Sequence, residues 1–265
     1  FKIGGYGAYG FNDQRFKYGG DIQISIRRMS ETSIQWSSSL DVAERGGHPA
    51  SLTKMWLSED DWYRIYINKM DEALTHQLEF KSQLPFFSQI KIGIKQQNWH
   101  ITDEYRFAFP TSETITLKPE NWVTTSVYGQ LRFAFKESWI QTMNKRQSLG
   151  TKWPVFSFTF EQGINGMFNG DLSFTKLHAQ FDYVHEIPLI GEFSIKCEAG
   201  KVDQALPSFM LFNFKGSKSN FGLVTPNAFE TMSPGKYFAN EFVSISARHN
   251  FKNYLISTGN FSPHF

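Results

Sequence analysis

The chain has a single cysteine, Cys197, in 265 residues, so it can form no internal disulfide and offers no cysteine cluster for a metal. It has no apolar run of about 18 residues, which excludes a transmembrane helix. An excess of one charge is also missing: 27 Lys and Arg stand against 25 Asp and Glu, for a net charge of +2. That balance leaves no footprint for a nucleic-acid partner and no basic patch for a membrane surface. Its 7 histidines, His48, His76, His100, His178, His185, His249 and His264, are scattered without ligand spacing, so neither a metal nor a cofactor is expected. Gly4-Gly5-Tyr6-Gly7 has no helix after it and cannot be a phosphate loop; its glycines relieve crowding in a bent strand. Phe1-Lys2-Ile3 shows no signal-peptide pattern and reads as already inside a strand.

What the sequence has in abundance is aromatic side chains, 27 Phe, 10 Tyr and 7 Trp, and strict alternation. In one segment Phe16, Tyr18, Gly20, Ile22, Ile24 and Ile26 share a parity opposite to Lys17, Asp21, Gln23, Ser25 and Arg27. In the next, Ile34, Trp36, Leu40 and Val42 alternate with Ser33, Gln35, Ser37, Ser39 and Asp41. A period of two means strand. The short polar link Met29-Ser30-Glu31-Thr32 predicts an antiparallel hairpin with one apolar and one polar face. Such a hairpin suits a soluble sandwich, whose apolar face meets a second sheet, or an outer-membrane barrel, whose apolar face meets lipid. The mean hydropathy of -0.38 does not exclude the barrel, because half of each spanning strand is polar.

Further strands are expected at Lys2 to Gly10, Trp62 to Ser82, Ile90 to Lys95, Val123 to Lys136, Val155 to Glu161, Lys176 to Tyr183, Phe193 to Ala199, Val243 to Arg248 and Tyr254 to Thr258. Apolar parity switches within Trp62 to Ser82, and a bulge at Met70 to Glu72 would account for it. The connection Ile101 to Asn121 reads as holding a small hairpin, with β-propensity at Tyr105 to Phe109 and Thr114 to Leu117. Glu137 to Lys152 reads as a polar linker, Gly163 to Asp171 as a turn, and Asp203 to Lys236 as a long irregular loop.

The connections discriminate between the two architectures. One side has Met29 to Thr32, Gln83 to Phe87, Glu137 to Lys152, Pro188 to Gly191 and Asn250 to Asn253; the other has Glu44 to Asp61, Ile101 to Asn121, Gly163 to Asp171 and Asp203 to Lys236. Mostly short turns on one side and longer loops on the other is the outer-membrane pattern, and a sandwich has no reason to sort its loops so. The expected fold is therefore all-β: an antiparallel up-and-down transmembrane β-barrel in the bacterial outer membrane. Residues 1–265 form one barrel domain with about eleven strands. An odd number leaves first and last strands parallel and unable to close, so the barrel is expected to be incomplete, a fragment of a longer chain.

Alternation then assigns faces. Lys17, Asp21, Gln23, Arg27, Gln130, Arg132, Lys176, His178, Asp182, Lys196, Glu198 and Arg248 are expected to face the lumen. Ile22, Ile24, Ile26, Phe156, Phe158, Phe160, Phe181 and Ile195 are expected to face lipid. Cys197 shares parity with Phe193, Ile195 and Ala199 and reads as a small apolar-face residue. Trp99, Trp122 and Trp153 lie near strand ends, as an interfacial girdle or core packing would require.

A Ser/His/acid set could be sought in Ser173, His178 and Asp182. Four residues along a strand span about 13 Å, too far for a His to Asp hydrogen bond, and lumen-lining polarity is the simpler reading.

Several segments resemble a known family: Lys152-Trp153-Pro154-Val155-Phe156, Pro188-Leu189-Ile190-Gly191, Asn227-Ala228-Phe229-Glu230-Thr231-Met232, Asn240-Glu241-Phe242-Val243-Ser244 and Arg248-His249-Asn250-Phe251. They are similar to Bacteroidota-type outer-membrane β-barrels of unknown function that carry an N-terminal carboxypeptidase-regulatory-like domain. The resemblance implies a larger polypeptide, with a signal peptide and a small β-sandwich module ahead of the barrel. It supplies architecture and location without chemistry. The expected function is non-enzymatic: a pore, scaffold or partner-binding component of an envelope assembly or transport complex, in contact with outer-membrane lipid and other envelope proteins. The alternatives are an outer-membrane hydrolase and a soluble β-sandwich binding module.

Overall fold

The structure is a computed structural model that describes residues 1–11, 14–27, 30–46, 70–101, 108–111, 114–117, 121–141, 146–188, 190–204, 206–214, 216, 229, 231–233 and 235–252. Its strands are β1 Lys2–Gly10, β2 Arg15–Arg27, β3 Thr32–Glu44, β4 Met70–Leu84, β5 Ser88–His100, β6 Ala108–Thr111, β7 Thr114–Leu117 and β8 Asn121–Ala134. After them come β9 Ser138–Gln141, β10 Arg146–Gly150, β11 Val155–Gly163, β12 Phe174–Ile187, β13 Gly191–Val202, β14 Phe212–Asn213, β15 Phe238–Ala239 and β16 Glu241–Asn250.

Ten of these strands make one antiparallel sheet in the order β1-β2-β3-β4-β5-β8-β11-β12-β13-β16. Each strand pairs with its sequence neighbours, as expected of an up-and-down meander whose turns are local. The remaining strands form three small hairpins, β6 with β7, β9 with β10 and β14 with β15, all lying within connections. Successive connections fall at alternate ends of the sheet. The strand ends joined after β2, β4, β8 and β12 lie at one end; those joined after β1, β3, β5, β11 and β13 lie at the other.

Two expectations need correction. The bulge at Met70 to Glu72 is absent: the ladder to β3 runs unbroken from Lys81 to Met70, because Met70, Glu72, Leu74, Leu78 and Phe80 keep one parity. A bulge occurs instead between Ser25 and Arg27, where β2 meets its turn to β3. The polar linker Glu137 to Lys152 contains the β9–β10 hairpin. Residues 62–69 and the strand expected at Tyr254 to Thr258 lie outside the described residues. Ten strands place β1 and β16 antiparallel to each other, and no ladder joins them among the described residues.

One face of the sheet carries its hydrophobic core at one end only. Ala73, Trp99, Ile101, Trp122, Phe174, Val202 and Phe242 from or beside the strands pack with Leu206, Phe209, Met210 and Phe212 of the long β13–β16 connection. Among the described residues, the apolar side chains of the opposite face have no comparable cover.

Candidate functional site

The sheet is amphipathic in the sense opposite to a water-soluble one. On β2, Phe16, Tyr18, Ile22, Ile24 and Ile26 are exposed, while Lys17, Asp21 and Gln23 between them are half-buried. On β11, Phe156, Phe158 and Phe160 are exposed, while Ser157, Thr159 and Glu161 are half-buried. On β16, Val243 and Ile245 are 75% and 73% exposed. Register extends the pattern across strands: Phe158 lies opposite Leu131 and Ala179, and Ile92 lies opposite Phe80 and Gly129. The exposed face is thus a continuous apolar band.

Directly opposite residues in an antiparallel ladder share a face. Lys17, Asp21, Gln23, Gln130, Arg132, Lys176, His178, Asp182, Lys196 and Glu198 therefore fall together on the polar face. Ile22, Ile24, Phe156, Phe158, Phe160, Phe181 and Ile195 fall on the other, the last two half-buried. Arg248 lies opposite Ser194 with polar-face parity but is exposed near the strand end. Ile26 adjoins the bulge after Ser25, and Arg27 beyond it lies opposite Thr32, where it is exposed rather than part of the network.

Charges on the polar face are paired both across and along strands. Lys95 meets Glu161 at 2.9 Å, and Ser126 donates to the same carboxylate at 2.6 Å. Tyr128 donates to Glu79 at 2.9 Å and accepts a hydrogen bond from Gln77, while Lys91 lies 3.7 Å from Glu79. Lys196 pairs with Glu198 at 3.1 Å, and Gln180 donates to Asp182 at 2.7 Å. Tyr6 crosses β2 above Gly19 to donate to Asp41 at 2.9 Å; a Cβ on Gly19 would collide with that ring. A face with this many charges is tolerable because these groups are hydrogen-bonded or ion-paired.

At the long-connection end this network meets an apolar plug. The β13–β16 connection turns at Pro207 to Met210 and lays Phe209 against Trp99 and Trp122, with ring centroids 5.0 and 6.1 Å apart. Phe212 packs on Phe242 at 4.9 Å and on His178 at 6.1 Å. Two contacts fasten the plug to the sheet. Lys176 donates to the Met210 carbonyl at 3.0 Å with its ammonium 4.4 Å from the Phe212 ring centre, and Gly46 N–H donates to the Phe209 carbonyl at 3.2 Å. Beside Gly46, Arg45 and Asp71 form a buried two-pronged ion pair at 2.8 and 2.6 Å. Arg45 is held in a fixed plane by it, which positions Gly46 at φ +63 under the plug.

At the short-turn end, Arg132 makes a buried bidentate pair with Glu137 at 2.8 and 2.7 Å, and Ser148 of β10 donates to Glu137 at 2.6 Å. The base of the β9–β10 hairpin is thereby tied to the polar face. Trp153, half exposed, stacks edge-on with Phe135, which does the same with Phe87. Trp153 thus lies in an aromatic cluster at a strand end, whereas Trp99 and Trp122, on β5 and β8, pack against the plug.

The Ser/His/acid set does not assemble. His178 faces Glu198 with Nε2 to Oε1 at 4.0 Å, Asp182 is engaged by Gln180, and Ser173 precedes β12 and is exposed. Among the described residues no three His, Cys, Asp or Glu side chains come together to hold a metal.

No curated protein matches the chain. A family model for the C-terminal domain of a family of unknown function, DUF5686, matches residues 1–258. The chain therefore belongs to the DUF5686 C-terminal domain family.

Proposed function

We propose that this domain is a transmembrane β-barrel wall of a bacterial outer membrane, non-enzymatic, with its polar face turned to a lumen and its apolar face to lipid. The observation that carries this reading is the continuous exposed apolar band backed by a paired polar face. In water such a band would be a large aggregation-prone patch; in lipid it is the required surface. Its height fits. On β2 the apolar-face residues run from Phe16 to Ile24, roughly 27 Å along the strand at ~3.4 Å per residue. A tilt of about 40° leaves roughly 21 Å, near the ~25 Å apolar belt of outer-membrane barrels. The division of connections into short and long ends supports the same reading, with the long end at the cell exterior.

Lipid contact also requires closure, because each unpaired backbone group in hydrocarbon costs several kcal/mol. β1 and β16 run antiparallel, so the wall closes by their pairing or through further strands of a larger barrel. The ion-paired lumen and the apolar plug favour a scaffold or partner-binding component of an envelope or transport assembly over an open pore. The resemblance to Bacteroidota outer-membrane proteins fits that location. A soluble sandwich would need a second layer over the apolar band, and a hydrolase would need a Ser/His/acid set, which Ser173, His178 and Asp182 do not form.

The test is extraction of the full-length protein from cell envelopes. Retention in the membrane through alkaline wash, with release only by detergent, is expected; recovery in the aqueous phase without detergent would overturn the proposal.

A further inference from the structure

The hairpin of β9 and β10 carries exposed apolar side chains that neither lipid nor the plug explains. It follows β8 at the short-turn end, and its base is tied to the polar face: Arg132 of β8 holds Glu137, and Ser148 donates to the same carboxylate at 2.6 Å. Trp139 lies opposite Ser148, and the next residue, Ile140, has the other parity and lies opposite Gln147. The register shifts between Ser148 and Gly150, with Leu149 as the extra residue. Ile140 and Leu149 are 47% and 66% exposed.

We infer that Ile140 and Leu149 dock the part of the polypeptide that precedes this domain in the full-length protein. The inference rests on the barrel reading, in which a hairpin tied to the polar face stands in water at the periplasmic mouth of the lumen. Two observations choose that occupant. The matched family model is that of a C-terminal domain, so polypeptide precedes it in this family. β1 begins at Lys2, opposite Gln23 of β2, and runs to Gly10 at the long-connection end, so a segment entering β1 arrives at the short-turn end, on the hairpin's side. In the order β1-β2-β3-β4-β5-β8 the hairpin's parent strand is five steps from β1, roughly 24 Å at ~4.8 Å per strand, which a domain of ~100 residues spans. Size makes the same choice. A free partner needs about 800 Å² on each side for a stable complex, far more than two side chains offer. A tethered one is held at an effective concentration on the order of mM, so a small apolar contact suffices. A two-stranded hairpin is marginal by itself, and the buried Arg132–Glu137 pair at its base supplies the fixed support that docking needs.

The full-length protein, in outer-membrane vesicles, would carry the photo-crosslinking residue p-benzoylphenylalanine in place of Ile140, of Leu149 or, as a control beyond β1 at the opposite end, of Phe11, which is 88% exposed. Illumination, proteolysis and mass spectrometry identify the peptides joined. Adducts with peptides N-terminal to residue 1 should be at least about tenfold more abundant from positions 140 and 149 than from position 11. Ile140→Asp with Leu149→Asp should speed protease cleavage ahead of Lys2 at least about tenfold, whereas Ile140→Val with Leu149→Met should leave it unchanged. Adducts only with lipid, with another protein or, between isotopically light and heavy copies, with a second chain would overturn the docking while leaving the barrel intact. Unchanged cleavage in the Asp pair would do the same. Recovery of the native protein in the aqueous phase would overturn the barrel reading and the docking with it.

Discussion

Leu131 lies near the middle of the β8 row from Val127 to Phe133, opposite Ile90 on one side and Phe158 on the other, and is 45% exposed. If that exposure is to water, Leu131→Arg removes little packing and should stay within about 0.5 kcal/mol of neutral, as surface substitutions do. If the exposure is to lipid near the midplane, the guanidinium costs roughly 2 to 4 kcal/mol. That is a shift of about 30- to 1,000-fold in the folding equilibrium. Its neighbour Gln130 supplies the control, because it lies on the polar face opposite Lys91 and Thr159. Gln130→Arg adds a cation facing Lys91, a like-charge pair costing about 0.2 to 1 kcal/mol. Urea titration of the chain folded into lipid vesicles, followed by tryptophan fluorescence, reads both variants. The reasoning predicts a gap of at least about 1 kcal/mol between them, with Leu131→Arg the worse. Equal costs, or a neutral Leu131→Arg, would refute it.

Three further outcomes follow from the network and the plug. Arg132→Ala leaves Glu137 buried without its bidentate partner and should cost about 3 to 5 kcal/mol, whereas Arg132→Met with Glu137→Leu should recover most of that loss in the same titration. Phe212→Ala empties a site only 1% exposed and should cost about 3 to 5 kcal/mol if the plug is part of the cooperative unit; a cost under about 1 kcal/mol would mean that it folds separately. Lys176→Met removes the bond to the Met210 carbonyl while keeping the stem, so the backbone amides of residues 206–212 should exchange hydrogen at least about tenfold faster, with little change on β11.

Much of the fold was legible because the chain is built from local antiparallel pairings. Alternation on β2, β3, β11 and β12 marked both strands and faces, and the parity of Ile90, Ile92 and Ile94 against Lys91 and Lys95 needed no tertiary information. The plug was less legible, although two signals were present. Trp99 has the parity of Lys91 and Lys95, and Trp122 that of Ser126 and Tyr128, which placed both on the polar face. The run Leu206 to Phe214 is too apolar for a solvated loop. What that run packs against depends on contacts far apart in sequence, such as Phe209 with Trp99, which no period reveals. Arg45 with Asp71 was hidden for the same reason. The β9–β10 hairpin was masked by its polar composition, since strand pairing there is fixed by the anchors Glu137 and Ser148 rather than by a buried face.

The orientation of β11 tests the central claim most directly. With Cys197 replaced by Ala, single cysteines at positions 156 to 161 would carry nitroxide labels in the chain folded into lipid bilayers. Labels at Phe156, Phe158 and Phe160 should be relaxed by oxygen, which concentrates in hydrocarbon, and those at Ser157, Thr159 and Glu161 should not, a period of two along the strand. Preferential relaxation of all six positions by a water-soluble nickel complex, with no alternation, would contradict it.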